Sequence, residues 1–129
     1  MQAAIEQLSA LTADLYFTSE TDARWTIHAL DPTQGIENQL LTLAKLPVDT
    51  SLETRDWATF LVQVATPQDW MDEAGKAAAA RYKTMIDYIN TTLTDVTVYR
   101  FGSIEIAVFV VGLASDCTPI ALATQAVET

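Results

Sequence analysis

Cysteine and histidine are almost absent from this sequence, which contains Cys117 and His28 as single instances among 129 residues. A single cysteine excludes an intramolecular disulfide and any zinc or iron–sulfur site built from several thiolates. A single histidine leaves no set of imidazole groups for a histidine-based metal centre or proton relay. We therefore predict an inert thiol at Cys117 and a structural role for His28, which falls in a predicted strand.

Basic residues are also scarce. The sequence has 7 Lys and Arg residues against 17 Asp and Glu residues, which gives a net charge of −10 at pH 7. An excess of negative charge opposes binding to nucleic acid or to an anionic membrane, because like charges repel. It favours a basic partner, a cation or simple solubility. Since 50% of the residues are hydrophobic, we expect a folded body to carry this charge rather than a disordered acidic segment.

Long apolar runs are missing as well. The longest run, Ile104–Ala114, is interrupted by Glu105 and Gly112 and is too short to cross a bilayer. The first residues lack a basic segment, and Glu6 interrupts their apolar stretch, so we expect no signal peptide and a cytoplasmic protein. Without a repeat or a Gly/Ser-rich linker, the length predicts one domain over residues 1–129.

Hydrophobic spacing predicts the elements of the first half of the chain. Apolar residues at helical spacing indicate an N-terminal amphipathic helix that ends near Tyr16-Phe17, followed by a loop over Thr18–Asp22. The alternation in Trp25–Leu30 predicts a half-buried strand that stops at Asp31-Pro32. The leucines of Asn38–Ala44 fit a strand or a short helix, and we favour a second strand.

Two helices are predicted in the middle of the chain. Apolar residues from Trp57 onward recur on one helical face, which predicts a short helix over Thr54–Ala65. Thr66 is a suitable N-cap and Pro67 a suitable first residue for a long helix that runs to about Leu93. The predicted inner stripe of this helix is Tyr82, Met85, Ile86, Ile89 and Leu93.

The last third of the chain has the pattern of antiparallel strands. Val96–Arg100 and Ile104–Val111 are separated by the turn Gly102-Ser103, which predicts a hairpin. Ile120–Val127 follows a further turn and predicts a last strand. This order of elements predicts an α+β sandwich in which helices cover a mainly antiparallel sheet.

Few residues carry chemistry that the sequence alone can assign. Asp69 complements the dipole of the long helix at its predicted start. Trp70 has two interpretations: an exposed anchor for a basic partner, or a side chain that packs the helix start against the core. Thr129 has a carboxylate and a hydroxyl, two hard oxygen donors of the kind that Mg²⁺ accepts, although every chain has a terminal carboxylate.

No motif of an enzyme is present. The sequence contains no nucleophile elbow, phosphate-binding loop or dinucleotide fingerprint, and no two carboxylates can be assigned to one cleft. A small-molecule enzyme would need a deep pocket lined by perturbed carboxylates. We therefore predict a protein that is not an enzyme and has no cofactor.

Four segments resemble the nuclease A inhibitor family, and together they extend from the first helix to the last residue. Ala65–Trp70 looks like the signature segment of that family, and Leu15–Glu20 is similar to its segment after the first helix. Val98–Gly112 is similar to its central hairpin, and Val127–Thr129 matches its ending. The resemblance implies an α-β-α sandwich and inhibition of a sugar-non-specific DNA/RNA endonuclease of the ββα-metal type, a basic and Mg-dependent enzyme.

The same resemblance implies roles for four residues. Thr129 would reach the catalytic Mg²⁺ of the nuclease with its carboxylate and hydroxyl. Glu20 would enter that active site in place of a substrate phosphate, and Asp69 and Trp70 would form a second contact patch. Arg24 departs from the family pattern and lies close in sequence to the proposed phosphate mimic. The alternative hypothesis is an acidic interaction domain of the same fold that binds an unrelated basic partner.

Overall fold

The computed structural model describes residues 2–13, 15–18, 22–57 and 72–127, and the structural statements below concern these residues. The helices are α1 (Gln2–Thr12), α2 (Ile36–Ala44) and α3 (Glu73–Thr92). The strands are β1 (Tyr16–Thr18), β2 (Asp22–Arg24), β3 (Thr26–Ala29), β4 (Leu52–Asp56), β5 (Thr94–Phe101), β6 (Glu105–Leu113) and β7 (Pro119–Val127). No helix within these ranges is long and apolar enough to cross a membrane.

Five of the strands form one antiparallel sheet in the order β3-β7-β6-β5-β4. Strands β5, β6 and β7 are joined as consecutive hairpins, which confirms the prediction for the last third of the chain. Gly102 lies in the first of these turns with φ of +106°, and a Cβ there would overlap the Glu105 carbonyl oxygen. The short strands β1 and β2 pair with each other in a separate two-stranded sheet.

The central strands of the sheet are apolar on both faces. Along β6, Ile106, Val108 and Val110 belong to one core cluster, whereas Phe109 and Val111 belong to another. Because successive side chains of a strand point to opposite faces, each face of the sheet needs its own cover of apolar side chains. The sheet therefore lies in the middle of the molecule.

Helices cover both faces. On the first face, Leu8 of α1 packs in one cluster with Met85 and Ile89 of α3. On the second face, Leu40 and Leu41 of α2 pack against phenylalanines and other apolar residues of the sheet. The arrangement is an α+β fold with the layers helix, sheet and helix, as predicted. The predicted inner stripe of the long helix is confirmed, since its residues are buried or half-buried in the first cluster.

The first helix is shorter than predicted. It ends at Thr12, whose hydroxyl donates to the carbonyl oxygen of Leu8 at 2.8 Å. Tyr16 and Thr18, which the prediction assigned to the helix end and to a loop, lie in β1. Aromatic and β-branched residues are frequent in strands, and the backbone of β1 pairs with β2. The loop predicted for Thr18–Asp22 includes residues 19–21, which lie outside the described residues.

The strand that we favoured over Asn38–Ala44 is wrong, because this segment is the helix α2. Leu40 and Leu41 are adjacent and both buried in the same cluster. Adjacent residues of a strand face opposite ways, so only a helix can turn both of these side chains toward the sheet. The helix ends at Lys45, which adopts the left-handed conformation and donates its N–H to the carbonyl oxygens of Leu41 and Thr42.

The prediction for the middle of the chain needs two corrections. The helix predicted over Thr54–Ala65 is wrong for its first residues, because Leu52–Asp56 is the edge strand β4, paired with β5. Residues 58–65 lie outside the described residues. The long helix does not run from Thr66 without interruption: Asp72 has extended backbone angles and caps α3 by accepting from the Gly75 N–H at 2.8 Å. Thr66 and Pro67 lie outside the described residues.

Candidate protein-binding surface

The four contact residues implied by the resemblance, Glu20, Asp69, Trp70 and Thr129, lie outside the described residues. Their nearest described neighbours in sequence are Thr18 and Asp22, Asp72, and Val127. These neighbours belong to three segments that are far apart in the sequence.

The two ends of the sheet can be told apart by the residues that pair there. At one end, β7 finishes at Val127, which pairs with Glu105 beside the turn between β5 and β6. We call this end the Val127 end. At the other end, which we call the Pro119 end, Pro119 pairs with Leu113 next to the turn between β6 and β7.

The β1–β2 hairpin extends toward the Val127 end. Strand β3 pairs with β7 so that Thr26 lies opposite Ala123 and Ala29 lies opposite Ile120. The chain before Thr26 therefore comes from the direction of Val127. Ala23 of β2 accepts a long hydrogen bond, 3.5 Å, from the Thr124 hydroxyl of β7. The pair Thr18 and Asp22 flanks the connection between β1 and β2. This end of the hairpin consequently points to the Val127 end.

The start of α3 lies at the same end. Leu93, just after the helix, packs close to Gly112, which is paired with Ile120 near the Pro119 end. Tyr82 accepts a hydrogen bond from the Trp25 indole N–H at 3.1 Å, and Trp25 directly precedes β3, beside Thr124. From Tyr82 to Leu93 the helix rises about 16 Å, and from Ile120 to Thr124 strand β7 rises about 13 Å. Because the two lengths are similar, the helix runs nearly along the strand. Asp72 precedes Tyr82 by ten residues, about 15 Å along the helix axis, so we infer that it lies toward the Val127 end.

The charged groups near this end include exposed carboxylates and one buried cation. Glu105 is exposed opposite Val127. Glu53 accepts a hydrogen bond from the Arg55 guanidinium at 2.6 Å, which lowers the pKa of Glu53, and attraction to Arg55 and Arg100 adds to this effect. Arg100 is buried in β5 beside Val108. Glu53 is therefore charged at neutral pH and forms an exposed ion pair with Arg55.

Residues 2–129 match the model described as nuclease A inhibitor-like protein. The chain belongs to this family. The match covers nearly the whole chain and confirms the resemblance found in the four segments. No curated protein matches the chain.

Membership of the nuclease A inhibitor-like family indicates a nuclease-inhibitor role, and with it a nuclease as partner and a function other than catalysis. Within the described ranges, no group of three or more metal-ligating side chains could hold a metal ion.

A groove of about 450 Å³ lies beside Val127 on the face that α2 covers. It is lined by Ala23, Arg24, Thr26, His28, Leu43, Ala44, Ala107, Phe109, Ala123, Thr124, Gln125 and Val127. His28, for which we predicted a structural role, is half-buried there, with its ring Nε2 2.9 Å from the Thr26 hydroxyl. No carboxylate is found among the described residues that line this groove.

Sequence reasoning missed several exposed apolar side chains close to the Val127 end, including Val48 and Ile104. Ile104 was assigned to the apolar strand after Gly102-Ser103, but it lies in the turn itself, before β6 begins. The signal was present in the sequence: an isoleucine that directly follows a Gly-Ser turn is placed where a polar residue is usual. Val48 also lies in a turn, which is closed by the Thr50 N–H donating to the Pro47 carbonyl oxygen at 3.1 Å.

Proposed function

We propose that this protein inhibits a sugar-non-specific, Mg-dependent endonuclease of the ββα-metal type by inserting its Val127 end into the basic active-site cleft. One observation carries the proposal. The pairing of β3 with β7 and the direction of α3 support a common location, at the Val127 end, for three parts of the sequence that are far apart: Thr18 with Asp22, Asp72, and Val127. They are the described neighbours of all four contact residues that the resemblance implies.

Chain length supports the convergence of these residues. Glu20 is two residues from both Thr18 and Asp22, and Thr129 is two residues from Val127. Two peptide units span at most about 7 Å, and this short reach is the basis for proposing that both residues act at the Val127 end.

Each residue has a chemical role in this proposal. The carboxylate and hydroxyl of Thr129 bind the catalytic Mg²⁺ of the nuclease, which prefers hard oxygen ligands. The carboxylate of Glu20 takes the place of a substrate phosphate among the basic groups of the cleft. Asp69 and Trp70 form a second patch, in which the indole provides apolar contact area and the carboxylate pairs with a basic side chain. The inhibitor itself catalyses no step.

The experiment that tests this mechanism is a titration of a purified ββα-metal endonuclease with the protein and its variants. We expect inhibition by the parent protein and an inhibition constant at least about 30-fold higher for Glu20→Gln and for deletion of Thr129, as for interface residues at the centre of a contact. Glu37→Gln is the matched control. It removes the same charge from the exposed first turn of α2 and should leave the inhibition constant within about twofold.

A C-terminal extension separates this mechanism from the alternative of an acidic domain with an unrelated basic partner. Adding a short Gly-Ser tail converts the Thr129 carboxylate into an amide, so a metal ligand is lost while the acidic surface is kept. We expect the tailed protein to lose inhibition to a similar extent as the deletion. Undiminished inhibition by the tailed protein would contradict the metal-binding role, and absence of inhibition by the parent protein would contradict the proposed function.

A further inference from the structure

Four large apolar side chains are exposed in the described part of the chain. Their exposed fractions are 40% for Leu43, 84% for Val48, 37% for Leu52 and 56% for Ile104. A single exposed apolar residue needs no explanation, but a group of them on one part of a surface marks a contact site. The positions of these four residues in the fold therefore show which of them share one part of the surface.

Two of them lie beside the turn between β5 and β6. Ile104 is in that turn and precedes Glu105, which pairs with Val127. Leu52 begins β4 opposite Phe101, the last residue of β5. The backbone joins the two sites, because the Gly102 N–H donates to the Ser51 carbonyl oxygen at 3.0 Å. Both side chains thus belong to the Val127 end.

The other two lie on α2 and on the segment that follows it, and only Val48 belongs to the same end. The chain leaves β3 at the Pro119 end, where the Leu30 N–H donates to the Pro119 carbonyl oxygen at 2.8 Å. Helix α2 then crosses the face of the sheet. Leu43 near its end lines the groove together with Val127 but also lines a second depression with Leu30, so it lies between the two ends. Val48 lies between this helix end and Leu52. We call Val48, Leu52 and Ile104 the apolar rim.

Charge does not distinguish the two ends, whereas the apolar rim does. Exposed aspartates lie toward the Pro119 end, for example Asp31, Asp95 and Asp116, and exposed carboxylates also lie near Val127. A basic partner is consequently attracted to both ends of the molecule. Of the large apolar side chains exposed within the described ranges, Val48, Leu52 and Ile104 lie toward the Val127 end, and Leu43 lies between the two ends.

We propose that the apolar rim is part of the inhibitory interface and contacts an apolar surface that borders the basic cleft of the partner nuclease; this inference rests on the proposed function. A stable interface involves about 20–30 residues on each side, far more than Glu20, Asp69, Trp70 and Thr129. The remaining contacts must come from neighbouring surface, and the core of an interface is depleted in charged groups and rich in apolar ones. The rim is the apolar surface continuous with the Val127 end.

The test is a measurement of binding kinetics between the endonuclease and the double variant Val48→Ser/Ile104→Ser. Both residues are in turns and highly exposed, so the substitutions should leave the midpoint of thermal unfolding unchanged. We expect Kd to rise about tenfold or more through a faster koff, with kon and its salt dependence unchanged, because short-range apolar contacts act after the encounter. Ser115→Ala, which changes an exposed turn residue near the Pro119 end, is the control and should leave Kd within about twofold.

The outcomes separate this inference from the proposed function. If the parent protein binds the nuclease but the double variant has the same Kd and koff, the apolar rim lies outside the interface and the inference is wrong. If the loss appears instead in Ser115→Ala, the contact is at the Pro119 end and the inference is equally wrong. If the parent protein binds no nuclease of this type, the proposed function is wrong and this inference is wrong with it.

Discussion

At the scale of single residues, Tyr82 and Trp25 connect α3 to the start of the main sheet. Only 3% of Tyr82 is exposed, and the Trp25 indole N–H donates to its hydroxyl oxygen at 3.1 Å. The two rings also meet edge to face with centroids 6.5 Å apart. Burial raises the pKa of Tyr82 to about 12, and the hydrogen bond from Trp25 offsets only part of this rise.

This raised pKa predicts how stability responds to alkaline pH. The unfolded chain loses the Tyr82 proton near pH 10, whereas the folded protein keeps it to about pH 12. The folded state binds more protons in this interval, so the contribution is fully present below pH 10 and is lost as pH rises through 12. We expect the free energy of unfolding, measured with urea at about pH 9 and about pH 12, to fall by up to about 2–3 kcal/mol more in the parent protein than in Tyr82→Phe.

Tyr88→Phe is the control for this measurement, because it removes a hydroxyl from the same helix and leaves Tyr82 in place. Its alkaline decline should equal that of the parent protein. An equal decline in Tyr82→Phe and in the parent would show that the buried phenol does not contribute to the pH dependence.

At the scale of elements, the start of α3 is set by one side chain. Asp72 accepts from the Gly75 N–H at 2.8 Å and caps the first turn of the helix. The sequence offered an equally good N-cap at Thr66, followed by a proline, and the two sites cannot be distinguished by local pattern. The extended backbone of Asp72 decides where α3 begins.

Substitutions at Asp72 test this capping role. We expect Asp72→Ala to lower the free energy of unfolding by about 1 kcal/mol, because it removes the acceptor for a helix N–H. Asp72→Asn keeps an acceptor oxygen without the charge and should lose less than half of that amount. Urea unfolding followed by far-UV circular dichroism measures both values. Equal losses in the two variants would assign the effect to charge rather than to the hydrogen bond.

Two other elements show why short segments were assigned wrongly. Asn38–Ala44 and Leu52–Asp56 each contain too few residues for the hydrophobic period to distinguish a helix from a strand. Leu40 and Leu41 are helical because the second face of the sheet needs a cover. Leu52–Asp56 is a strand because β5 offers an edge with which it can pair. In both segments a partner that is distant in sequence decides the local structure.

At the scale of the whole molecule, the net charge of −10 acts on the approach of a partner. A nuclease that holds phosphates has a basic cleft, and long-range attraction increases the rate of encounter without new contacts. Exposed carboxylates lie toward both ends of the sheet, so we expect the charge to attract a basic partner to the molecule without selecting one end.

Long-range attraction between the acidic protein and a basic partner predicts that the rate of binding depends on salt concentration. We expect kon for the endonuclease to fall by about tenfold or more between low salt and about 0.5 M NaCl, because screening removes long-range attraction. In contrast, koff should change little. Stopped-flow binding at several salt concentrations gives both rates. A kon that does not depend on salt would contradict steering by the acidic surface.

The sequence by itself determined the elements whose patterns are long and regular. The inner stripe of α3, the strands β5, β6 and β7, and the α+β class follow from helical and strand periods that these segments express locally. The resemblance in four segments determined the family, which the match over residues 2–129 confirms. The roles of Glu20, Asp69, Trp70 and Thr129 remain a prediction, since these residues lie outside the described ranges.

Only the tertiary structure decided which segments meet. That Thr18, Asp72 and Val127 share one end depends on the pairing of β3 with β7 and on the direction of α3, which are contacts between residues far apart in the sequence. The same contacts collect the apolar rim at that end. Local patterns record which face of an element is apolar, but the position of that face in the molecule depends on packing against partners that the pattern does not specify.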